Sequence, residues 1–475
     1  MIRLTTGRVC YTVLALHLFL VLITPIYDPD LWWHLRIGQY IFQTLRVPRA
    51  DIYSFTVFGK PWLVPEWLSE AAMYGIYLLS GWRGLIVVFA LINATAFLYI
   101  ARRAQAPAQI VLLATVVSQT AALGTLWNPR PRWATLVFSA VFFVMLRAYM
   151  DDHSKRLWIL PLLTVAWVNL HGGYPLGLAL ILLAGAALVL RGERRRLGHL
   201  ALILALCLIA ISINPYGARM FVYPFENQFS AARMSFIAEW RAPNFNGPGT
   251  WPFLLLLLGI VAALGLSKKR ISWFDLLCLM LACFMSLRSW RHVSLLSLIS
   301  IPILSEHSWN WISSTRYGQR IISGAGGRER PNSRDALLAL LLILVVVVFH
   351  LPSVLRTIRG PVDLSQQPVA AIQFMQEQNL KDNVFSQYEW NDYLIWNAPS
   401  RKVFIDGRVD MYGDELLMTA VRLYTDGTDW EALFQRFGVN TVLIEPSSTL
   451  ARLIKQNAAW SEVYRDPQAV IFIRK

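Results

Sequence analysis

Charge is scarce in this chain, and so is cysteine. Only 15% of its 475 residues are Asp, Glu, Lys or Arg, against 56% hydrophobic, and mean hydropathy is +0.45. That balance excludes an ordinary soluble globular protein. The four cysteines, Cys10, Cys207, Cys278 and Cys283, all lie inside apolar runs. Their spacing gives neither a disulfide framework nor a zinc site, so they read as core residues. No internal repeat and no low-complexity tract is present, which sets a repeat architecture aside. The first apolar run, Val9 to Ile26, is not followed by a small-x-small cleavage site, so it reads as an uncleaved span rather than a signal peptide. A net charge of +15 would suit a nucleic-acid partner. No nucleic acid is expected, however, because the basic residues sit in short clusters beside apolar runs, where anionic lipid headgroups account for them.

What the chain has in abundance is apolar runs separated by short connectors. Runs of roughly 17–25 residues read as membrane spans, and shorter ones with suitable flanks are admitted. They fall near Val9–Ile26, Leu85–Ala101, Gln109–Leu126, Trp133–Met150, Leu157–Leu170, Tyr174–Leu190, Leu200–Ile213, Trp251–Leu266, Trp273–Leu287, Val293–Leu304 and Ala336–Leu351. The basic residues occupy every second connector: Arg3 and Arg8, Arg102/Arg103, Lys155/Arg156, Arg191 with Arg194 to Arg196, Lys268 to Arg270, and the stretch from Glu306 to Arg334. Cytoplasmic loops carry this excess, which predicts a cytoplasmic N-terminus and a C-terminus on the outer side.

The expected fold is therefore an α-helical polytopic membrane protein of about eleven transmembrane helices over residues 1–352, followed by a small extracytoplasmic α/β soluble domain over 353–475. The long first outer loop, 27–84, reads as two amphipathic surface helices, from Pro29 to about Leu45 and from Glu66 to about Ser80. The second spans only some 22 Å at 1.5 Å per residue, short of a roughly 30 Å hydrocarbon core. In the terminal domain, strands are expected at Asn383–Ser386, Lys402–Asp406, Thr441–Ile444 and Val470–Ile473, with helices at Val369–Glu377, Asp414–Leu423 and Trp430–Phe437.

On the predicted outer side, Asp28-Pro29-Asp30-Leu31-Trp32-Trp33-His34 follows the first span directly. Asp28 before Pro29 has the form of a helix cap. Asp30 lies in the first turn with His34 four residues on, so the two share a helix face. A carboxylate beside an imidazole suits general-base work or metal coordination, and the alternative is an acid that complements the helix dipole. Other outer connectors hold Glu66 and Glu70, Arg130 and Arg132, Asn169-Leu170-His171-Gly172-Gly173, Asn214-Pro215-Tyr216-Gly217, Glu239-Trp240, and Arg288, Arg291 and His292. Singly these read as caps or interfacial anchors. Together they suggest a cavity lined by Glu66, Asn169, His171, Tyr216, Glu239 and His292. Acids in the first loop and cations in later ones would hold an anionic, phosphate-bearing substrate near a base. Lys402 to Arg408 with Asp410 reads either as a ligand loop or as a buried strand with a salt-bridged turn.

A first span, an acidic motif in a long outer loop, many further spans and an outer soluble domain resemble the GT-C membrane glycosyltransferases. That group includes the protein mannosyltransferases, the lipid A aminoarabinose transferase and the oligosaccharyltransferases. The Trp32-Trp33-His34-Leu35 extension, Trp167 to Gly173, Asn214 to Gly217 and Phe404-Ile405-Asp406-Gly407-Arg408 resemble stretches of bacterial relatives of the group. The chain departs from other members: Pro65-Glu66-Trp67-Leu68 stands where some carry a His-Pro-Pro stretch, and the Trp-Trp-Asp signature of the oligosaccharyltransferases is missing. The resemblance implies a carboxylate that acts on the acceptor or binds a metal, at positions matching Asp28 and Asp30. The expected function is a bacterial inner- or plasma-membrane enzyme that moves a sugar from a polyprenyl-phosphate donor to an acceptor on the outer face. Asp30 is the expected base, assisted by His34, and Arg130, Arg132, Arg288 and Arg291 the expected phosphate ligands. Mg²⁺ or Mn²⁺ at Asp28 and Asp30 is the expected cofactor, if there is one. The alternatives are a transporter or flippase of lipid-linked sugars, and a non-catalytic membrane sensor or assembly protein.

Overall fold

A computed structural model describes residues 5–152, 156–228, 237–316, 318–319 and 333–475. Arg3, Lys155 and residues 320–332 of the last basic connector lie outside them. The described chain divides into two compact units. One comprises residues up to Ile26, Trp82–Phe221 and Ile237–Pro361; the other comprises Tyr27–Gly81, Val222 onward to the described limit at 228, and Val362–Lys475. The first loop and the terminal segment thus belong to one unit, although some 280 residues of sequence separate them.

In the first unit every stretch read as a span contains a helix, though not all are helical to their expected ends. Among the described residues, five helices are long and apolar enough to cross a membrane: Trp67–Ala101, Ala108–Leu126, Trp133–Asp151, Pro248–Leu266 and Leu340–Arg359. Thr6–Leu20, Arg156–Leu170 and Pro175–Leu190 are apolar but shorter. The first helix ends at Leu20, short of the expected limit at Ile26. Val293–Ser314 runs ten residues past the expected end at Leu304. The polar residues that suggested a stop are paired inside the bundle instead. Glu306 accepts from Arg147 at 2.9 Å, from Lys269 at 2.7 Å and from the Gln105 backbone N–H at 3.2 Å, and Arg147 also reaches Asp275 at 3.1 Å. Small hydroxyl residues let helices approach: Ser118 and Ser300 meet at 3.2 Å where Ala108–Leu126 packs on Val293–Ser314.

Trp67–Ala101 is not one straight rod. Gly81 has φ 63° and ψ −160° inside it, a conformation that breaks the helix and that glycine adopts without a Cβ penalty. Residues 67–80 belong to the second unit and residues 82–101 to the first. The break falls where the sequence separates the predicted surface helix from the predicted span.

The second unit holds a four-stranded mixed sheet: β1 (Val384–Ser386), β2 (Thr441–Ile444), β3 (Trp460–Arg465) and β4 (Val470–Arg474), in the order β1-β2-β4-β3. β1 runs parallel to β2, with Phe385 opposite Val442. β4 pairs antiparallel with β2, placing Phe472 opposite Val442, and with β3 on its other side. β1, β2 and most of β4 are buried, so their continuous apolar runs were readable as strands. β3, Trp-Ser-Glu-Val-Tyr-Arg, mixes polar and apolar residues without a regular period and is mostly only part-buried, and the sequence reading missed it. Lys402–Asp406, expected as a strand, is extended but makes only isolated bridges, through Val403 to Val384 and to Ser54. Its partners are split between β1 and the first loop, so no regular ladder forms. The Asp30–Thr44 helix lies against the Tyr388–Asn397 helix, with Trp32 edge-on to Tyr393 at 4.9 Å.

Candidate active site

The acidic motif opens the Asp30–Thr44 helix. Asp28 is buried, and its Oδ1 accepts the Asp30 backbone N–H at 3.0 Å, satisfying one of the donors that a helix start leaves without an intrahelical acceptor. That is the structural role its place before Pro29 suggested. Asp30, half-buried, comes beside the glycine of Phe404 to Arg408. A Cβ on Gly407 would lie 3.0 Å from Asp30 Oδ1, 2.9 Å from Trp33 Nε1 and 2.6 Å from Asp392 Oδ2. The Gly407 N–H donates to Asp392 Oδ1 at 2.8 Å. A glycine is therefore needed for two carboxylates and an indole N–H to meet at this backbone. Burial raises the Asp392 carboxyl well above the usual range, and the neighbouring charges of Asp406 and Asp30 add to the rise. Asp392 had no signal in the sequence, since it lies in a helix three residues after Glu389 with nothing to mark it.

Gly407 is held in place by its neighbour. Arg408 is buried to 1% exposure between Asp406 and Asp51, both at 0%. Its Nε donates to Asp406 Oδ1 at 2.8 Å, and its Nη2 donates to Asp406 Oδ2 at 2.5 Å and to Asp51 Oδ1 at 2.7 Å. The guanidinium lies 4.7 Å from the Trp62 ring centre and 5.0 Å from that of Tyr53, and the Tyr412 hydroxyl donates to Asp406 at 2.7 Å. Asp51 also caps its own loop, accepting from the backbone N–H groups of Tyr53 and Ser54. Of the two readings of Lys402 to Arg408, the salt-bridged turn is the one seen. Asp51, the residue that ties the first loop to this turn, was not singled out from sequence.

His34 is buried one turn further along the helix, and its Nδ1 lies 3.0 Å from Glu70 Oε1 and 3.9 Å from Glu66 Oε2. Glu70 is wholly buried. The two helices can approach because a Cβ on Gly38, four residues after His34, would come within 2.2 Å of the Glu70 carbonyl oxygen. The expected metal pair was Asp28 and Asp30. Among the described residues, the group of three whose ligand atoms crowd together is His34, Glu66 and Glu70. Asp28 is engaged as a cap.

In the other unit the basic residues gather around one acid. Arg130 and Arg132 each reach Glu239 at 3.1 Å, and Arg132 also donates to the Thr125 carbonyl at 2.6 Å. Arg291 lies over the Trp240 ring at 4.5 Å. The Ser289 hydroxyl donates to the Glu239 carbonyl at 3.1 Å, which fastens the two segments together. Burial alone would raise Glu239, but Arg130, Arg132 and Arg291 bring its carboxyl far below the usual range. Arg288 ends the Trp273–Arg288 helix in an exposed position. A small cleft beside the cluster is lined by Asn93, Asn128, Arg130, Arg132, Trp133 and Ser294 among others.

The Asn169 to Gly173 bend is held by hydrogen bonds at Asn169, His171 and Gly173. His171 Nδ1 accepts the Gly173 N–H at 2.9 Å and meets the Thr135 hydroxyl at 2.7 Å, and that hydroxyl accepts from Trp167 Nε1 at 3.1 Å. Burial, then Arg291 and Arg132, bring the His171 imidazole down to about 3, so it is neutral. His292 is likewise down at about 3, through burial and Arg291. Asn169 donates to the carbonyls of Val165 and Ile213 at 2.8 Å each. Asn214 accepts the Tyr216 N–H at 2.6 Å, closing the turn that carries Tyr216. Asn169, His171 and Asn214 therefore shape the backbone around the basic cluster.

No protein-family model matches the sequence, and no curated protein matches it either. Solved structures do match in three dimensions. The archaeal oligosaccharyltransferase AglB from Archaeoglobus fulgidus, in complex with an inhibitory peptide and a dolichol-phosphate, superposes with a TM-score of 0.62 at 12% identity, over 92% of this chain and 69% of that one. ArnT from Cupriavidus metallidurans in the apo state gives 0.51 at 16% identity, over 97% and 96%. Both are GT-C membrane glycosyltransferases. The chain has the GT-C fold. The apo oligosaccharyltransferase from A. fulgidus agrees, with a TM-score of 0.61 at 11% identity over 92% of this chain and 69% of that one. The sequence resemblance, drawn from layout and the acidic motif, led to the same fold.

Proposed function

We propose that this GT-C chain is a glycosyltransferase of the bacterial inner membrane that moves a sugar from a polyprenyl-phosphate donor to an acceptor on the outer face. The observation that carries the reading is the acidic motif at the start of the Asp30–Thr44 helix, in a chain whose fold extends over 92% of its length onto a transferase solved with dolichol-phosphate. Asp28 is occupied with the helix end, so Asp30 is the proposed base. It takes the proton of the acceptor hydroxyl as the oxygen attacks the anomeric carbon. The bond from that carbon to the lipid phosphate breaks, the phosphate leaves with the electron pair, and configuration inverts. Arg130, Arg132, Arg288 and Arg291 are proposed to bind that phosphate, since guanidinium groups match its oxygens bidentately. Glu239, already held by two of these arginines, keeps them in place when no phosphate is bound. A polytopic protein with the N-terminus inside and the sheet-bearing unit outside follows from the alternation of basic connectors.

The test is transfer from a radiolabelled polyprenyl-phosphate sugar in membranes containing the protein, with Asp30→Asn beside Asp28→Asn. A positioned base contributes about 10²–10⁴-fold. Asp30→Asn should lose that much turnover with little change in donor binding, while Asp28→Asn, which still caps, should lose far less. Full activity in both variants would defeat the proposal and favour transport of lipid-linked sugars.

A further inference from the structure

His34 and Glu70 project from two helices that approach closely where Gly38 meets the Glu70 backbone, and Glu66 sits in the turn just before the second of them. Their ligand atoms all lie within 4.8 Å of one another. Two ligands bound to one ion at about 2.0–2.2 Å stand no more than about 4.4 Å apart. His34 Nδ1 meets that limit to Glu70 at 3.0 Å and to Glu66 at 3.9 Å, so a few tenths of an ångström of side-chain adjustment would close the group on a cation.

A second observation points the same way. Glu70 is at 0% exposure, one of its oxygens faces His34, and the other, Oε2, is buried without any hydrogen-bond partner. An unsatisfied buried carboxylate oxygen is costly, and cation coordination is one of the few ways to remove that cost. Glu66 and Glu70 are four residues apart on one helical path, linked by the Glu70 N–H to the Glu66 carbonyl at 3.0 Å. Two carboxylates on one path and an imidazole from a crossing helix is an arrangement that helical proteins use to hold metals.

We propose that His34, Glu66 and Glu70 bind one divalent first-row transition-metal ion, Mn²⁺ or Zn²⁺, as protein ligands with a position left open. The imidazole nitrogen favours these ions over Mg²⁺ and Ca²⁺, which prefer oxygen ligands throughout. Glu66, at the rim with 20% of its side chain exposed, gives the ion its path in. Asp30 is not one of its ligands, and the proposal does not depend on the transfer reading, because it is read by binding alone.

The experiment uses the full-length protein in detergent, stripped with a chelator and titrated with MnCl₂ while free Mn²⁺ is followed by electron paramagnetic resonance; Zn²⁺ is titrated in parallel by calorimetry. One ion per chain is expected. Altering merely the residues that orient ligands costs about 10–100-fold in affinity, so Glu70→Gln and His34→Ala should weaken binding at least that much. Glu66→Gln, partly exposed and safer for folding, should do the same if a buried variant is not obtained. Failure of the wild-type protein to bind either ion stoichiometrically would overturn the proposal. So would unchanged affinity in Glu66→Gln, or loss of binding in Asp30→Asn with retention in Glu70→Gln.

Discussion

Replacing Arg408 with Met removes a charge from the most enclosed ionic cluster of the sheet-bearing unit while keeping most of the side-chain volume. The structure sets the scale of the effect. Arg408 at 1% exposure faces Asp406 and Asp51, both at 0%, through three charge-assisted hydrogen bonds of 2.5 to 2.8 Å. Replacing a whole buried ion pair by apolar groups can be neutral, but removing one partner strands the other, at about 3–5 kcal/mol. Here two carboxylates are stranded, and the guanidinium also leaves its place between the Trp62 and Tyr53 rings. At about 2–4 °C per kcal/mol for a domain of 150–250 residues, the unfolding midpoint of this unit should drop by roughly 6–20 °C. Differential scanning fluorimetry in detergent, with limited proteolysis to identify the unit that opens first, measures it. Arg408→Met combined with Asp406→Asn should recover part of the loss, because one stranded charge is gone. Arg465→Met is the control: its pair with Glu462 is partly exposed, and such pairs are worth only about 0–1 kcal/mol. Should Arg408→Met behave like Arg465→Met, the view of Arg408 as the tie between the first loop and the Gly407 turn is wrong.

Gly407→Ala should lower transferase activity about 10²-fold and stability by about 1–3 kcal/mol, since its Cβ would press on Asp392 at 2.6 Å, Trp33 at 2.9 Å and Asp30 at 3.0 Å; paired activity and unfolding measurements check both. Burial raises the folded-state carboxyl of Asp392, so the wild type is favoured at low pH and loses stability as pH rises through that value. Asp392→Asn, which can still accept the Gly407 N–H, should therefore unfold at a higher temperature than wild type at pH 8, with the gap closing toward pH 4. Glu239 behaves oppositely: its carboxyl is held low against burial by Arg130, Arg132 and Arg291, so its contribution is present above the ordinary Glu value of about 4.3 and is lost only in stronger acid. The destabilisation caused by Glu239→Gln should accordingly be the same at pH 8 and pH 5, and a steady shrinkage over that range in thermal unfolding would contradict the clamp.

Much of this protein could be read in one dimension. Helices lie where the long apolar runs are, because a helix in hydrocarbon must satisfy its own backbone and so leaves a run of apolar residues as its trace. The start of the Asp30–Thr44 helix was legible from Asp28 and Pro29, since capping is a local matter of a carboxylate and a nearby N–H. The strands β1, β2 and β4 were legible from continuous apolar runs, and β3 was not, because only its first residue, Trp460, is buried and Ser461, Glu462 and Arg465 interrupt any apolar run. The tertiary structure decided which polar groups meet. Nothing local says that His34 turns to Glu70, or that Glu306 continues a helix because Arg147 and Lys269 neutralise it. Nothing local joins Asp51 to Arg408 across 357 positions, or brings Asp392 to Gly407. Burial makes these charges costly unless they are paired or protonated. The partner that removes the cost is chosen by packing, through such contacts as Gly38 against the Glu70 backbone, and no spacing along the chain records that choice.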